Sequence, residues 1–110
     1  MTETFEAPEF AIDASRDGAV STVAVKGELD IATAPELRAA IAALAPGYDE
    51  LVIDLSECSF LASSGISILV EENVRSVSAG FRLVVVKAPP EVQRIFELTS
   101  LDKVITFREA

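Results

Sequence analysis

The order of elements readable in this chain predicts an α/β domain: a mixed β-sheet of four to five strands covered by about three to four helices. Strand-like runs come first, and strand and helix then alternate to the end. Leu51-Val52-Ile53-Asp54-Leu55 is a short, nearly continuous apolar run, the pattern of a parallel strand covered on both faces. The chain has 110 residues, half of them apolar, which suits one domain with its own core.

Residues 1–9, with Pro8 and three glutamates, read as a loose tail or edge segment, and residues 10–110 as the domain. Phe10-Ala11-Ile12-Asp13 alternates weakly, and Arg16-Asp17-Gly18 signals a turn. Val20 to Val25 is strand-like and ends near Gly27-Glu28-Leu29-Asp30. Thr33-Ala34-Pro35-Glu36 looks like a capping box, with Leu37, Ile41 and Leu44 on one helical face until Pro46-Gly47. A second helix is expected from Ser63-Ser64-Gly65. Its apolar side is Ile66, Leu69, Val70, Val74 and Val77, opposite Glu71, Glu72 and Arg75, and it stops at Ala79-Gly80. Phe81 to Val86 reads as a strand. Glu91 to Leu98 reads as a short helix using Val92, Ile95, Phe96 and Leu98, and Val104 to Phe107 as a last strand. Connections from strand to helix to parallel strand should be right-handed.

Composition removes whole classes of function. With 18 acidic against 9 basic residues the net charge is −9, and the basic residues are scattered. Nucleic acid and anionic membrane surfaces are therefore not expected partners. There is no histidine, so Ser-His-Asp and Cys-His catalysis lack their base. Lys26, Lys87 and Lys103 show no spacing suited to a Ser-Lys pair. A single cysteine, Cys58, permits neither an internal disulfide nor a Cys-rich zinc site, and reads as a packing residue. No metal, cofactor or catalytic residue is expected. The start of the chain lacks a signal-peptide pattern and no run reaches a membrane span, so the expected location is cytoplasmic.

The informative stretch is the joint between Leu55 and Ile66. Helix N-termini at the carboxyl ends of strands face ligands and partners. Ser63 and Ser64 stand where the second helix begins. Hydroxyls there can cap backbone amides, and the same amides stabilise an anion. Gly65 would let a large partner approach the backbone. A phosphate on such a serine adds about −1.5 to −2 charges without unfolding the helix, which makes a local binding switch. An ordinary helix cap is the plainer alternative. The switch requires a hydroxyl projecting into solvent from the helical tip.

Three segments in register resemble the STAS-domain anti-sigma factor antagonists. Gly27-Glu28-Leu29-Asp30-Ile31-Ala32-Thr33 is similar to their Gly-Glu-Leu-Asp segment, and Leu51-Val52-Ile53-Asp54-Leu55-Ser56 to their central strand. Ser59-Phe60-Leu61-Ala62-Ser63-Ser64-Gly65-Ile66 resembles their Asp-Ser-Ser-Gly phosphorylation loop. The similarity runs from about Phe10 to Phe107. It implies a bacterial STAS-like domain that is not an enzyme. Unphosphorylated, such a protein binds an anti-sigma factor with a serine-kinase ATPase fold and frees a sigma factor. Phosphorylation by that kinase ends binding, and a serine phosphatase restores it. Ser64 takes the phosphoacceptor position, with Ser63 as second choice. Glu28, Asp30, Thr33, Ser63, Ser64 and Ile66 are the implied partner-binding residues, in a monomer or weak dimer.

The resemblance departs at Ala62, where the family has an aspartate. Alanine cannot cap the helix or orient a serine hydroxyl, so phosphorylation would be slow, rely on Asp30 or Glu57, or be absent; the alternative is that the aspartate is dispensable and Ser63 supplies the cap. The alternative implied role is that of an accessory or scaffold subunit in a transport or signalling assembly, binding constitutively without phosphorylation.

Overall fold

The computed structural model describes residues 10–110, so the tail or edge segment expected at residues 1–9 lies outside the described residues. Its elements, among the described residues, are β1 (Ala11–Asp17), β2 (Val20–Leu29), α1 (Ala34–Ala42), β3 (Glu50–Leu61), α2 (Ser63–Ala79), β4 (Arg82–Val86), α3 (Pro90–Leu98) and β5 (Phe107–Arg108). The five strands lie side by side in chain order, β1-β2-β3-β4-β5. β1 runs antiparallel to β2, and every later neighbour is parallel. This is the mixed sheet that the alternation of elements predicts.

All three helices pack on one face. Leu51, Ile53 and Leu55 of β3 share a core with Leu37 and Ile41 of α1, Ile68 and Leu69 of α2, and Val92 and Phe96 of α3. Val52, Val84 and Val86 point the other way and form a separate small cluster with Val20, without a helix residue. β3 is buried on both faces as expected, Val52 being 2% exposed, but helices cover only one of them. Strands that follow one another in order, joined by crossovers of one hand, place every helix on the same side. On the open face the Glu50 carboxylate receives Arg82, 2.6 Å away, and the two side chains flank the valines.

The central strand is longer than its apolar run. It continues past Leu55 to Leu61, so the expected loop between Leu55 and Ile66 shrinks to Ala62. The Asp54 carboxylate accepts the Ser56 amide at 2.9 Å, and the register with β2 shifts by one residue there and again beyond Gly27. Two irregularities turn Cys58 and Leu61 into the core while leaving Ser59 and Phe60 exposed. Simple alternation fails across such bulges, and this is why the strand reads as ending early.

The second helix is rotated from its expected phase. Its inner face is Gly65, Ile68, Leu69 and Ser76, while Val70, Val74 and Val77 are 37%, 66% and 83% exposed. Glu72 also lies inward, its side chain 12% exposed, and its carboxylate accepts both Nε (3.0 Å) and Nη2 (2.7 Å) of Arg75. Arg75 additionally donates to the Tyr48 hydroxyl at 2.6 Å and stacks over Phe81; its hydrogen bonds to Glu72 first, and to Tyr48 second, hold its guanidinium pKa well above the usual value. Small residues at the ends of the inner face and a neutralised carboxylate in its middle let α2 approach the sheet. Apolar periodicity alone cannot see either. We expect Leu69→Ala to cost about 2–5 kcal/mol, and Val77→Ser to stay within ~0.5 kcal/mol. Urea denaturation of the two variants checks the phase.

Other edges differ in smaller ways. Helix α3 uses Val92 and Phe96 inward as expected, but Leu98 is 74% exposed. The last strand is two residues long, because Val104 and Ile105 amides bond back to the Leu101 carbonyl at 3.0 and 2.9 Å instead of joining a ladder. The stop at Ala79-Gly80 is as expected, with Gly80 left-handed (φ 77°) and its amide on the Ser76 carbonyl.

Candidate functional site: the β2–α1 turn and the α2 tip

Leu29, the last residue of β2, pairs with Leu61, the last of β3. The Ala62 amide then donates to the Leu29 carbonyl at 2.9 Å. One hydrogen bond thus joins the chain just before Asp30 to the chain just before Ser63. Two segments more than thirty residues apart in sequence become one surface at the carboxyl edge of the sheet. Glu28, Asp30 and Thr33 are half-buried along one side, and Ser63 is exposed on the other.

The turn is built by Asp30. Its Oδ1 accepts the amides of Ala32 (2.9 Å) and Thr33 (3.1 Å), and its carbonyl accepts the Ala34 amide at 2.8 Å. Thr33 Oγ1 turns back, donating to the Glu28 carbonyl at 2.7 Å and accepting the Asp30 amide at 2.9 Å. The capping box expected from Thr33 and Glu36 is therefore not formed. The Asp30 carboxylate serves the turn's amides ahead of the helix, the Thr33 carbonyl accepts the Glu36 and Leu37 amides, and Thr33 makes no side-chain cap bond to α1. The turn is rigid, and it holds Ile31 at its apex, 84% exposed.

At the α2 tip, Ala62 occupies the N-cap position with extended backbone (φ −90°, ψ 168°) and supplies no side-chain cap. Its carbonyl accepts the Gly65 and Ile66 amides at 3.0 and 3.1 Å. Ser63 is exposed, and its carbonyl accepts the Ser67 hydroxyl at 2.9 Å. Ser64 is half-buried, and its hydroxyl oxygen is shut off from solvent with no hydrogen-bond partner among the described residues. The expected solvent-facing hydroxyl at position 64 is thus corrected: in this rotamer it faces inward. Gly65 is corrected too. An added Cβ would lie 2.8 Å from Leu29 and Leu61 side-chain atoms, so the missing side chain serves close helix–sheet packing rather than the approach of a partner.

Of the remaining candidates, Ile66 is half-buried and packs against the core. Glu57 lies opposite Lys26, four residues back along β3 from Leu61, or ~13 Å at strand spacing. It is too remote to replace a carboxylate at position 62, whereas Asp30 is adjacent. Cys58 is fully buried, its thiol bonded to the Phe60 carbonyl at 3.2 Å and its pKa pushed up by burial, as a packing residue requires.

Comparison with known proteins agrees with this architecture. The family model described as "Mlab, STAS domain" matches residues 12–106. An anti-sigma factor antagonist from Mycobacterium paratuberculosis is 36% identical and superposes with a TM-score of 0.81, over 94% of this chain and 89% of that one. The chain belongs to the STAS-domain anti-sigma factor antagonist family. The antagonist SpoIIAA in its unphosphorylated form shares the fold at 18% identity and a TM-score of 0.76, over 91% of this chain and 88% of that one. The Bacillus SpoIIAA in its phosphorylated form does so at 17% identity and 0.71, over 91% of each chain.

In this STAS domain, two exposed apolar residues flank the α2 tip that sequence reasoning did not single out: Ile31, and Phe60 at 49% exposure. A signal was present. Ile31 lies within a turn whose neighbours are committed to hydrogen bonds, so it has no core to serve. Phe60 is paired with Glu28 at the strand end. Among the described residues no helix is long and apolar enough to cross a membrane. The bare N-cap gives a direct prediction. Ala62 already has the backbone conformation of a capping residue, so Ala62→Asp should stabilise the domain by ~1 kcal/mol through the free amides of the first turn. Thermal melting checks this, with an upward shift of about 4–8 °C expected.

Proposed function

We propose that this chain is a reversible binding switch without enzymatic activity. It binds an anti-sigma factor of serine-kinase ATPase fold, so freeing a sigma factor, and phosphorylation at Ser64 ends the complex. The observation that carries the reading is the Leu29–Ala62 bond, which sets the rigid Ile31 turn and the serine-bearing helix tip in one surface. Ile31 and Phe60 supply apolar contact, and Glu28, Asp30, Thr33 and Ser63 supply the polar edge. The net charge of −9 complements a basic face on the kinase and speeds encounter. A serine phosphatase resets the switch, and the whole cycle is cytoplasmic.

Ser64 requires one conformational step. Its buried, unpartnered hydroxyl costs the folded state about 1–3 kcal/mol, so the inward rotamer is held only loosely. A turn about χ1 to another staggered well carries the oxygen outward, where the kinase can reach it. The phosphate is then stabilised by the uncapped amides of the first turn. Ser63, already exposed, is the second-choice acceptor.

A different reading draws on two observations: the matching family description names Mlab, and position 62 lacks a carboxylate. In it the domain is a constitutive subunit of a transport or signalling assembly. Affinity capture from the source cell with the purified chain, with and without ATP, separates the two. A kinase-fold protein released by ATP is the expected result. An ATP-insensitive transporter complex would overturn the switch.

A further inference from the structure

Helices α1 and α2 both start at the carboxyl edge of the sheet, but they differ in length. α1 has 9 residues and α2 has 17, ~14 and ~26 Å of helix, so α2 runs on well beyond the end of α1. The chain after Ala42 turns back to β3 instead of continuing alongside α2. A cleft of about 400 Å³ is left between the helices, a size that holds small organic molecules. Ile41, Leu44 and Ile68 give it an aliphatic lining, and Arg38, Tyr48, Glu72 and Arg75 its polar groups. Its walls are fixed in advance. Arg16 Nη1 donates to the Ala45 and Pro46 carbonyls at 3.0 and 3.2 Å and pins the turn after α1. The Tyr48 ring meets Phe81 edge-on at 5.2 Å, and its hydroxyl accepts Arg75 Nη2 at 2.6 Å. A ligand would not have to order these groups.

The hydrogen-bonding capacity left over in the cleft is mostly donor. Glu72 Oε1 takes Nε and Nη2 of Arg75, and the Glu71 carboxylate takes Nη1 and Nη2 of Arg38. Among the described residues, Arg75 Nη1, Arg38 Nε and the Tyr48 hydroxyl proton have no acceptor, against one lining carboxylate oxygen, Glu72 Oε2, without a donor. These two arginines balance the two glutamates, so the cleft is electrically neutral in a chain of net charge −9 that elsewhere repels anions. We propose that the cleft binds an aliphatic monocarboxylate of about eight carbons. The carboxylate lies on the Tyr48 hydroxyl and Arg75 Nη1, and the hydrocarbon lies over Ile41, Leu44 and Ile68. Two oxygens match two donors, whereas a dianion such as a phosphate monoester would meet no net positive charge. At the ~30 Å³ of a liquid water, the volume admits about ten to thirteen non-hydrogen atoms, and octanoate fits. The cleft begins at least one turn along both helices from the surface formed by the Asp30 turn and Ser63, and the proposal does not depend on the kinase reading.

Titration of the full chain with sodium octanoate tests it, followed by calorimetry and by backbone amide chemical shifts at ~0.15 M salt, where long-range repulsion is screened. The expected result is one saturable site, half-filled between ~0.1 and ~1 mM, with shifts gathered at residues 38–48 and 68–75. Octanamide and octylamine, of the same length without the negative charge, should bind at least about tenfold more weakly. Tyr48→Phe keeps the ring against Phe81 and removes one donor, and should weaken octanoate by about tenfold. Ala42→Phe, at an exposed lining position on the last residue of α1, should fill the cleft and abolish binding while the melting temperature holds. No saturable binding by ~10 mM octanoate would overturn the proposal. So would octylamine binding as well as octanoate, shifts centred outside the cleft, or affinity unchanged in both variants.

Discussion

Replacing Gly65 by alanine should destabilise the domain by about 1–2 kcal/mol and weaken partner binding, although alanine is the better helix former. Helix propensity alone favours the change by ~1 kcal/mol. The added methyl, however, would sit 2.8 Å from Leu29 Cγ and Cδ2 and from Leu61 Cδ1. Both leucines are buried, and both end strands whose pairing holds the site together, so neither yields freely. Overpacking of this kind costs about 1–3 kcal/mol, enough to outweigh the propensity gain. Relief requires α2 to lift from the sheet, which moves Ser63 and Ser64 away from the Asp30 turn. In urea the transition midpoint should fall with an unchanged slope, the mark of altered stability without altered unfolding. A variant as stable as the parent would show that the helix can retreat freely.

Ser64→Glu should leave the fold intact and reduce affinity for a kinase-fold partner by about 100-fold or more. A carboxylate cannot readily occupy the inward position of the Ser64 oxygen, which is shut off from solvent and faces no hydrogen-bond donor among the described residues. It must turn outward, where the uncapped first turn of α2 tolerates a negative charge. In a complex that same charge would be pressed into the contact, and an uncompensated interfacial charge costs several kcal/mol. Ser64→Ala makes the opposite case. Removing a buried hydroxyl without a partner should stabilise the domain by ~1 kcal/mol while binding persists. Calorimetric titration and thermal melting together distinguish these outcomes. A Ser64→Glu chain that binds as tightly as the parent would place the contact elsewhere.

Fold class was legible because alternation of strand and helix is written in element order, and the in-register segments around Leu29, Ile53 and Gly65 agree with it. Three features were not legible, each for a physical reason. The bulges after Asp54 and Gly27 break the two-residue period, so β3 reads as ending at Leu55 although it reaches Leu61. The inner face of α2 is lined by a glycine, a serine and a neutralised glutamate, so the valines on its outer face mimic a core-facing stripe. The capping box at the start of α1 is absent, because Thr33 bonds back to β2 and the Asp30 carboxylate takes the Ala32 and Thr33 amides ahead of the helix. At the candidate site, sequence placed Glu28, Asp30, Thr33, Ser63 and Ser64 in the same neighbourhood, and the Leu29–Ala62 bond brings them there. Which way the Ser64 hydroxyl points could not be read, because a rotamer at a helix tip depends on the packing around it and not on its neighbours in sequence. Ile31 and Phe60 were overlooked because an apolar residue in sequence is first assumed to serve the core.

The occluded hydroxyl makes phosphosite mapping the most direct measurement. The parent chain, Ser63→Ala and Ser64→Ala are incubated with ATP and the kinase-fold anti-sigma factor, and the modified residue is located by mass spectrometry. Phosphate on Ser64 in the parent and in Ser63→Ala, none in Ser64→Ala, and release of the partner as phosphate accumulates are the predicted results. Phosphate confined to Ser63, or a complex that holds in ATP with neither serine modified, would contradict the account.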